Sequence, residues 1–308
     1  MSHRPRAALA RRWWRPALGA IVLIVIVVLI GPEAVLAGVR GLDPWALLGG
    51  VGLAAWSTAW VAWRWVAIAR AGGMSLTLRD AVWAYYRSLL LNSTLPGGVL
   101  GDVDRAAWHA RDQQDMPRAA GAVVVERTAG QAALLLIAAV VLVILGPAAG
   151  FAPAILAGLV IACVIFAVVA VVVGLRTRVF TADRTSAGLA ITVVVASTLA
   201  IAGYVGTFLL AARAVGVDVP LPQLLPLAVL VIAGSAIPVN FAGWGPREGV
   251  AAWAFAVAGL GADLGMATSV AYGLIGLVAV LPGVVPIVLG RRRGPHSGSL
   301  APSRQEVP

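Results

Sequence analysis

Residues 96–105 read PGGVLGDVDR and residues 238–247 read PVNFAGWGPR. Both run Pro, four residues, Gly, three residues, Arg, which sets Pro96, Gly101 and Arg105 beside Pro238, Gly243 and Arg247. Each interrupts an apolar stretch. Proline removes a backbone donor and ends a helix, while glycine lets two backbones approach. Irregular backbone at membrane depth is tolerated only against protein or a watery cavity. Interrupted helices in corresponding positions of two halves mark a transport site built from inverted repeats. The pair therefore predicts two helical hairpins that enter the bilayer and return, surrounded by full transmembrane helices.

The rest of the chain supplies those helices. Its 308 residues are 60% hydrophobic and 12% charged, with a mean hydropathy of +0.93, a composition that excludes an ordinary soluble domain. About 20 apolar residues are needed to cross the hydrocarbon core. Runs of that kind lie at 17–38, 44–66, 119–145, 152–175, 187–212 and 265–289, while 80–95 and 221–260 are short or broken. The expected fold is an all-α polytopic membrane protein with about six full transmembrane helices and two oppositely oriented re-entrant hairpins, inverted-repeat-like. Residues 1–16 form a basic N-terminus, 17–290 a single membrane domain and 291–308 a disordered tail.

All 23 basic residues are arginine, against 13 acidic residues, for a net charge of +10. Without lysine there is no side-chain amine for Schiff-base chemistry, and phosphate recognition falls to guanidinium groups. Arginines concentrate in short cytoplasmic loops. Placing the groups at residues 4–15, 64–79, 105–127, 176–184 and 291–304 on that side puts both termini in the cytoplasm of a cell-membrane protein. It also closes only if residues 80–104 return to the cytoplasm and 221–260 return to the outside. Arg64 reads here as a loop arginine, and His109 as a solvated surface residue rather than a proton relay.

The arginines are scattered rather than gathered on one module, so nucleic acid is not an expected partner. The single cysteine, Cys163, lies in an apolar run, and the three histidines are far apart. Neither a metal site nor a cofactor is expected. No zincin, nucleophile-elbow or phosphate-loop motif occurs, so the chain does not read as an enzyme.

Candidate substrate-binding residues are Arg105 and Arg247, as a bidentate phosphate clamp, with Asn92, Asp102, Glu126, Arg127, Asn240 and Glu248 around them. An unpaired charge at a helix centre costs about 2.5–3.5 kcal/mol on insertion scales, so the carboxylates are expected to pair with the arginines. Plainer readings stand beside these. Arg105 is also placed as a positive-inside loop arginine, Glu126 and Arg127 as a helix-start pair, Asp102 as a turn residue, and Asn92 and Asn240 as caps of broken backbone.

The segments NSTLPGGVLGDVDRA (92–106), VVVERTAG (123–130) and IPVNFAGWGPREGVAAWAF (237–255) resemble, in that order, a flippase-like integral membrane family that includes the transmembrane half of lysylphosphatidylglycerol synthases. The resemblance implies a multi-pass helical fold with re-entrant segments that moves lipids or lipid-linked head groups between leaflets. By position, the family's polar signatures fall on Asn92, Pro96, Gly101, Asp102 and Arg105, on Glu126 and Arg127, and on Pro238, Gly243, Gly245 and Glu248. The soluble aminoacyl-transfer domain of the bifunctional synthases is missing, so lysyl transfer is not expected. The expected partner is a membrane phospholipid or lipid-linked phosphate. Two further classes compete: a membrane-embedded transferase acting on a lipid phosphate with Asp102 or Glu126 as base, and a subunit that presents lipid to a separate enzyme.

Overall fold

The computed structural model describes residues 32–95, 98–177, 187–235 and 245–288. These residues are helical throughout apart from short turns and connections. In chain order the helices are α1 (Pro32–Gly41), α2 (Pro44–Ala71), α3 (Leu78–Thr94), α4 (Leu100–Gln113), α5 (Met116–Leu145), α6 (Pro153–Leu175), α7 (Ala187–Ala214), α8 (Leu221–Gly234), α9 (Pro246–Val257), α10 (Ala262–Ala279) and α11 (Val284–Val288). Their starts follow from local chemistry. The Asp43 carboxylate accepts from the Ala46 N–H at 2.7 Å, Thr77 caps α3 through the Asp80 N–H, and Asp115 caps α5 through the Arg118 N–H. Proline stands at the head of α2, α5, α6 and α9, where its missing donor costs nothing.

Five helical stretches are long and apolar enough to span a bilayer: Pro44–Ala71, Met116–Ala149, Pro153–Leu175, Ala187–Ala214 and Ala262–Val288. They coincide with five of the six expected runs. Of the sixth, residues 17–31 lie outside the described residues; its end is α1, whose Gly38 packs against Val270 of α10. Residues 1–16 and 291–308 lie outside the described residues as well.

The remaining helices form two short pairs. At 17 and 14 residues, α3 and α4 measure about 25 and 21 Å at 1.5 Å per residue, less than a hydrocarbon core of about 30 Å. They fold back on each other. At the open end the Gln113 side chain bonds the Ser75 backbone and hydroxyl, with its Nε2 2.9 Å from Ser75 Oγ. At the tip the Gly101 N–H donates to Asn92 Oδ1 at 2.7 Å. The return arm thus runs to Gln113, nine residues beyond the expected end at 104, because α4 continues through WHARDQ before Gln114 adopts a left-handed turn.

The second pair, α8 and α9, is joined by residues 236–244, which lie outside the described residues, and comes together where Gly234 meets Val250. Its open end sits at the other end of α5: Gly150 adjoins Ala258, and Phe151 stacks 6.1 Å from Trp253. The first hairpin is therefore rooted at the start of α5 and the second at its finish, and the two point in opposite directions.

Small residues let the spans close on one another. Ser57 of α2 donates to the Ala200 carbonyl of α7 at 2.9 Å, opposite Gly203. The two largest buried apolar clusters lie about Trp65, Tyr85 and Ala122 and about Phe208, Leu227 and Phe255, and Tyr204 of α7 packs against both. The outward faces are apolar too. On α6, Ile161, Ile165, Phe166 and Val169 are more than half exposed, an arrangement that suits lipid rather than water.

Candidate functional site

The start of α5 reads VVVERTAG, and its Glu126 is the centre of the most charged region of the interior. Glu126 is 1% exposed and faces two arginines from two other elements. Arg64 of α2 donates Nε and Nη2 to Glu126 Oε1 at 3.0 and 2.5 Å, and Arg105 of α4 donates Nη2 to Glu126 Oε2 at 3.0 Å. Arg64 also donates Nη1 to Ser197 Oγ of α7 at 2.8 Å. One carboxylate and one hydroxyl thereby tie four elements together. The depths agree. Arg64, Glu126, Arg105 and Ser197 lie seven to ten residues from the ends of their helices nearest the first hairpin's root, which is about 10–15 Å along the axis.

Arg105 is placed by its helix. Asp102 stands one turn before it on the same face and accepts from Arg105 Nη2 at 3.1 Å, while its other oxygen pairs with Arg127. The flat guanidinium of Arg105 lies over the Tyr85 ring, 4.0 Å from Cζ to centroid, and over Trp65 at 4.7 Å, a cation–π geometry that compensates lost hydration. Arg87 and Asp104 pair separately at 2.6 Å nearer the surface.

Two glycines make the close approach possible. A Cβ at Gly101 would fall on the Ser88 carbonyl oxygen of α3, so no side chain fits between the arms of the hairpin there. A Cβ at Gly130 would fall on Arg64 Nη2; Gly130 is the shelf on which that guanidinium rests.

The second hairpin carries a smaller cluster. Arg247, at the head of α9, donates Nε and Nη2 to Oε1 of its neighbour Glu248 at 2.8 and 2.6 Å, and Nε also reaches Ser269 Oγ of α10 at 3.0 Å. Ser269 donates to the same carboxylate oxygen at 3.1 Å, and Glu248 Oε2 accepts the Gly245 N–H at 2.7 Å. Tyr272 lies under the guanidinium at 5.3 Å. Glu248 is thus both counter-ion and cap of a helix start, where a carboxylate also meets the positive end of the helix dipole.

Of the candidate residues, Asp102, Arg105, Glu126 and Arg127 are brought together, and Asn92 fastens the hairpin tip just above them. Gly101 is the contact point of its two arms. Arg247, Glu248 and Gly245 form the separate second cluster. Pro96, Pro238, Asn240 and Gly243 lie outside the described residues.

Arg64 and His109 differ from their sequence reading. Arg64 is 6% exposed and ion-paired rather than in a loop, because α2 continues to Ala71 instead of ending near residue 66. His109 is 1% exposed, four residues after Arg105 on the same face of α4, with its ring 5.4 Å from Trp65. Two signals pointed inward: Arg64 falls in register with the buried positions Val61 and Ile68, and His109 falls in register with Arg105.

Among the described residues, five helices long and apolar enough to cross a membrane, packed around two opposed hairpins that each carry a buried arginine–carboxylate cluster, define a polytopic integral membrane protein with a charged interior site. The chain belongs to the family of the lysylphosphatidylglycerol synthase TM region, whose match covers residues 13–283. Searches of the curated proteins and of the solved structures find no match.

Proposed function

We propose that this protein translocates a phospholipid or lipid-linked head group between leaflets, the head group passing through the interior between the hairpins while its chains stay in lipid. The observation that carries the reading is the Glu126 carboxylate held between Arg64 and Arg105 at the tip of a hairpin too short to cross. Buried charges in a membrane are costly and mark ion or substrate pathways. A guanidinium pair held by side-chain carboxylates is equipped to accept a phosphate instead. Family membership supports a lipid as cargo, since the family takes its name from a synthase of a modified phospholipid.

The first hairpin's root is proposed to face the cytoplasm, because Arg70, Arg79, Arg111, Arg118 and Arg176 gather at that end. The two hairpins are then re-entrant from opposite faces, and rocking of the two halves would expose the site alternately. The reading is non-enzymatic. Asp102 and Glu126, the carboxylates available as bases, are both engaged by arginines rather than aimed at an open position.

Proteoliposomes carrying fluorescent phospholipids, with the outer leaflet quenched by dithionite, test the proposal. Wild-type protein should expose inner-leaflet lipid to quenching, and Arg105→Ala should not. Equal rates in the two would sink the mechanism. A mass-shifted lipid product would instead establish a transferase, and activity appearing only on co-expression with an enzyme would establish a presenting subunit.

A further inference from the structure

Resting on that reading, we propose that the cargo anion is held by Arg64 together with Arg105, taking the place of the Glu126 carboxylate between them, and that this site accommodates one negative charge, as on a phosphodiester. Arg64 then becomes a substrate-binding residue, and Arg247 falls outside the anion site.

Geometry comes first. The Arg64 and Arg105 guanidiniums, from different elements, converge on the two oxygens of one carboxylate at 2.5 to 3.0 Å. The space between them holds a single carboxylate. The two non-bridging oxygens of a phosphodiester present the same two-point acceptor to a pair of guanidinium forks. No such gap exists at Arg247, whose Nε and Nη2 close on the adjacent residue of its own helix.

Charge points the same way. In the first cluster the guanidiniums of Arg64, Arg105 and Arg127 face the carboxylates of Asp102 and Glu126, three cations against two anions. Arg87 and Asp104 cancel each other, as do Arg247 and Glu248. The cluster is net positive, with Arg64 and Arg105 buried and Arg127 about one-third exposed, and an anion beside the two buried guanidiniums offsets that charge. A monoanion brings the cluster to zero; a dianion overshoots it.

Donor capacity agrees with both. Arg105 is 1% exposed, and its Nε and Nη1 donate to neither Asp102 nor Glu126, both of which are served by Nη2. A guanidinium carries five N–H donors and no acceptor, so donors remain for a ligand after Asp102 and Glu126 are served. Gly130 provides the room: only at a residue without a Cβ does the Arg64 guanidinium lie flat against α5.

Isothermal titration of the full chain in neutral detergent at pH 8 tests this with three probes: dihexanoyl phosphatidylglycerol (a diester), dihexanoyl phosphatidic acid (a monoester nearing two charges) and inorganic phosphate. The diester should bind about tenfold or more tighter than the monoester, and Arg64→Gln and Arg105→Gln should each weaken it by about tenfold or more, as expected for a lost charge-assisted bond. Arg247→Gln should stay within about twofold. Glu126→Gln, which raises the surplus to two, should move the preference toward the monoester. Inorganic phosphate should compete weakly; competition equal to the diester's would make the ligand a free oxyanion and overturn the lipid assignment.

Diester affinity unchanged in Arg64→Gln, or lost as strongly in Arg247→Gln, would overturn the site. Should Arg64→Gln fail to fold, Arg64→Lys decides: it keeps the charge but not the fork, and should still weaken diester binding by several fold. Lipid movement in proteoliposomes that depends on Arg247 but not Arg64 would sink this site and leave translocation standing. Absence of both binding and movement would end both.

Discussion

Glu126 is the residue on which the interior charge depends. Removing its carboxylate leaves Arg64 and Arg105 buried without their shared partner, and breaking a buried pair from one side costs about 3–5 kcal/mol. Glu126→Ala should therefore lower the thermal unfolding midpoint in detergent by far more than Asp104→Ala, whose pair with Arg87 is about one-third exposed. Equal shifts would show that the buried network contributes no more than a surface pair. Gly101 makes a second residue-level prediction. Its missing Cβ would occupy the position of the Ser88 carbonyl, so Gly101→Ala must prise α3 from α4 and should cost about 1–3 kcal/mol as an overpacking change, measured by the same unfolding experiment.

The first hairpin is latched at both ends by uncharged side chains, Asn92 at the tip and Gln113 at the root. Each bond contributes about 0.5–1.5 kcal/mol net, enough to shape local opening without governing global stability. Amide hydrogen exchange should quicken around residues 98–105 in Asn92→Ala and around 74–78 in Gln113→Ala, with residues 44–71 unchanged in either. Exchange quickening evenly along the hairpin would mean that it opens as one unit.

The hairpin's existence was legible in the sequence because Pro, Gly and Asp in an apolar stretch leave backbone groups that only protein or water can satisfy. Its length was not. Residues 106–113 are mixed in polarity, and the same eight residues suit a cytoplasmic loop or a helix packed on Trp65. Arg64 was lost to a similar ambiguity. An arginine two residues from an apparent span end obeys the positive-inside rule, whereas the helix continues to Ala71 and places it a turn and a half deeper. Glu126, Asp102 and Arg105 were legible as a group, since charges in membrane segments must find one another, but their third-element partner was not.

At the scale of the whole molecule, the two hairpins differ in content though not in plan. The first gathers five charged side chains from α2, α4 and α5, three arginines and two carboxylates, while the second holds one arginine–carboxylate pair at the start of α9 against Ser269 of α10. The opposed arrangement itself is testable: in a Cys163→Ala background, cysteines placed at Arg79 and at Asp218 should be labelled by a membrane-impermeant maleimide from opposite faces. Labelling of both from one face would contradict α2 running against α5 and α7.

The distance in sequence between Arg64 and its partners also bears on how the chain is made. Glu126 follows it by 62 residues and Ser197 by 133, and at about 5–20 residues per second α2 must wait several seconds for the first and longer for the second. It is also the least apolar of the five spans, and during that wait it holds a lone guanidinium costing about 2.5–3.5 kcal/mol on insertion scales. Nascent chains released before residue 126 should therefore insert α2 inefficiently, and Arg64→Leu should restore them, making the emergence of α5 the event that commits the N-terminal half to the membrane.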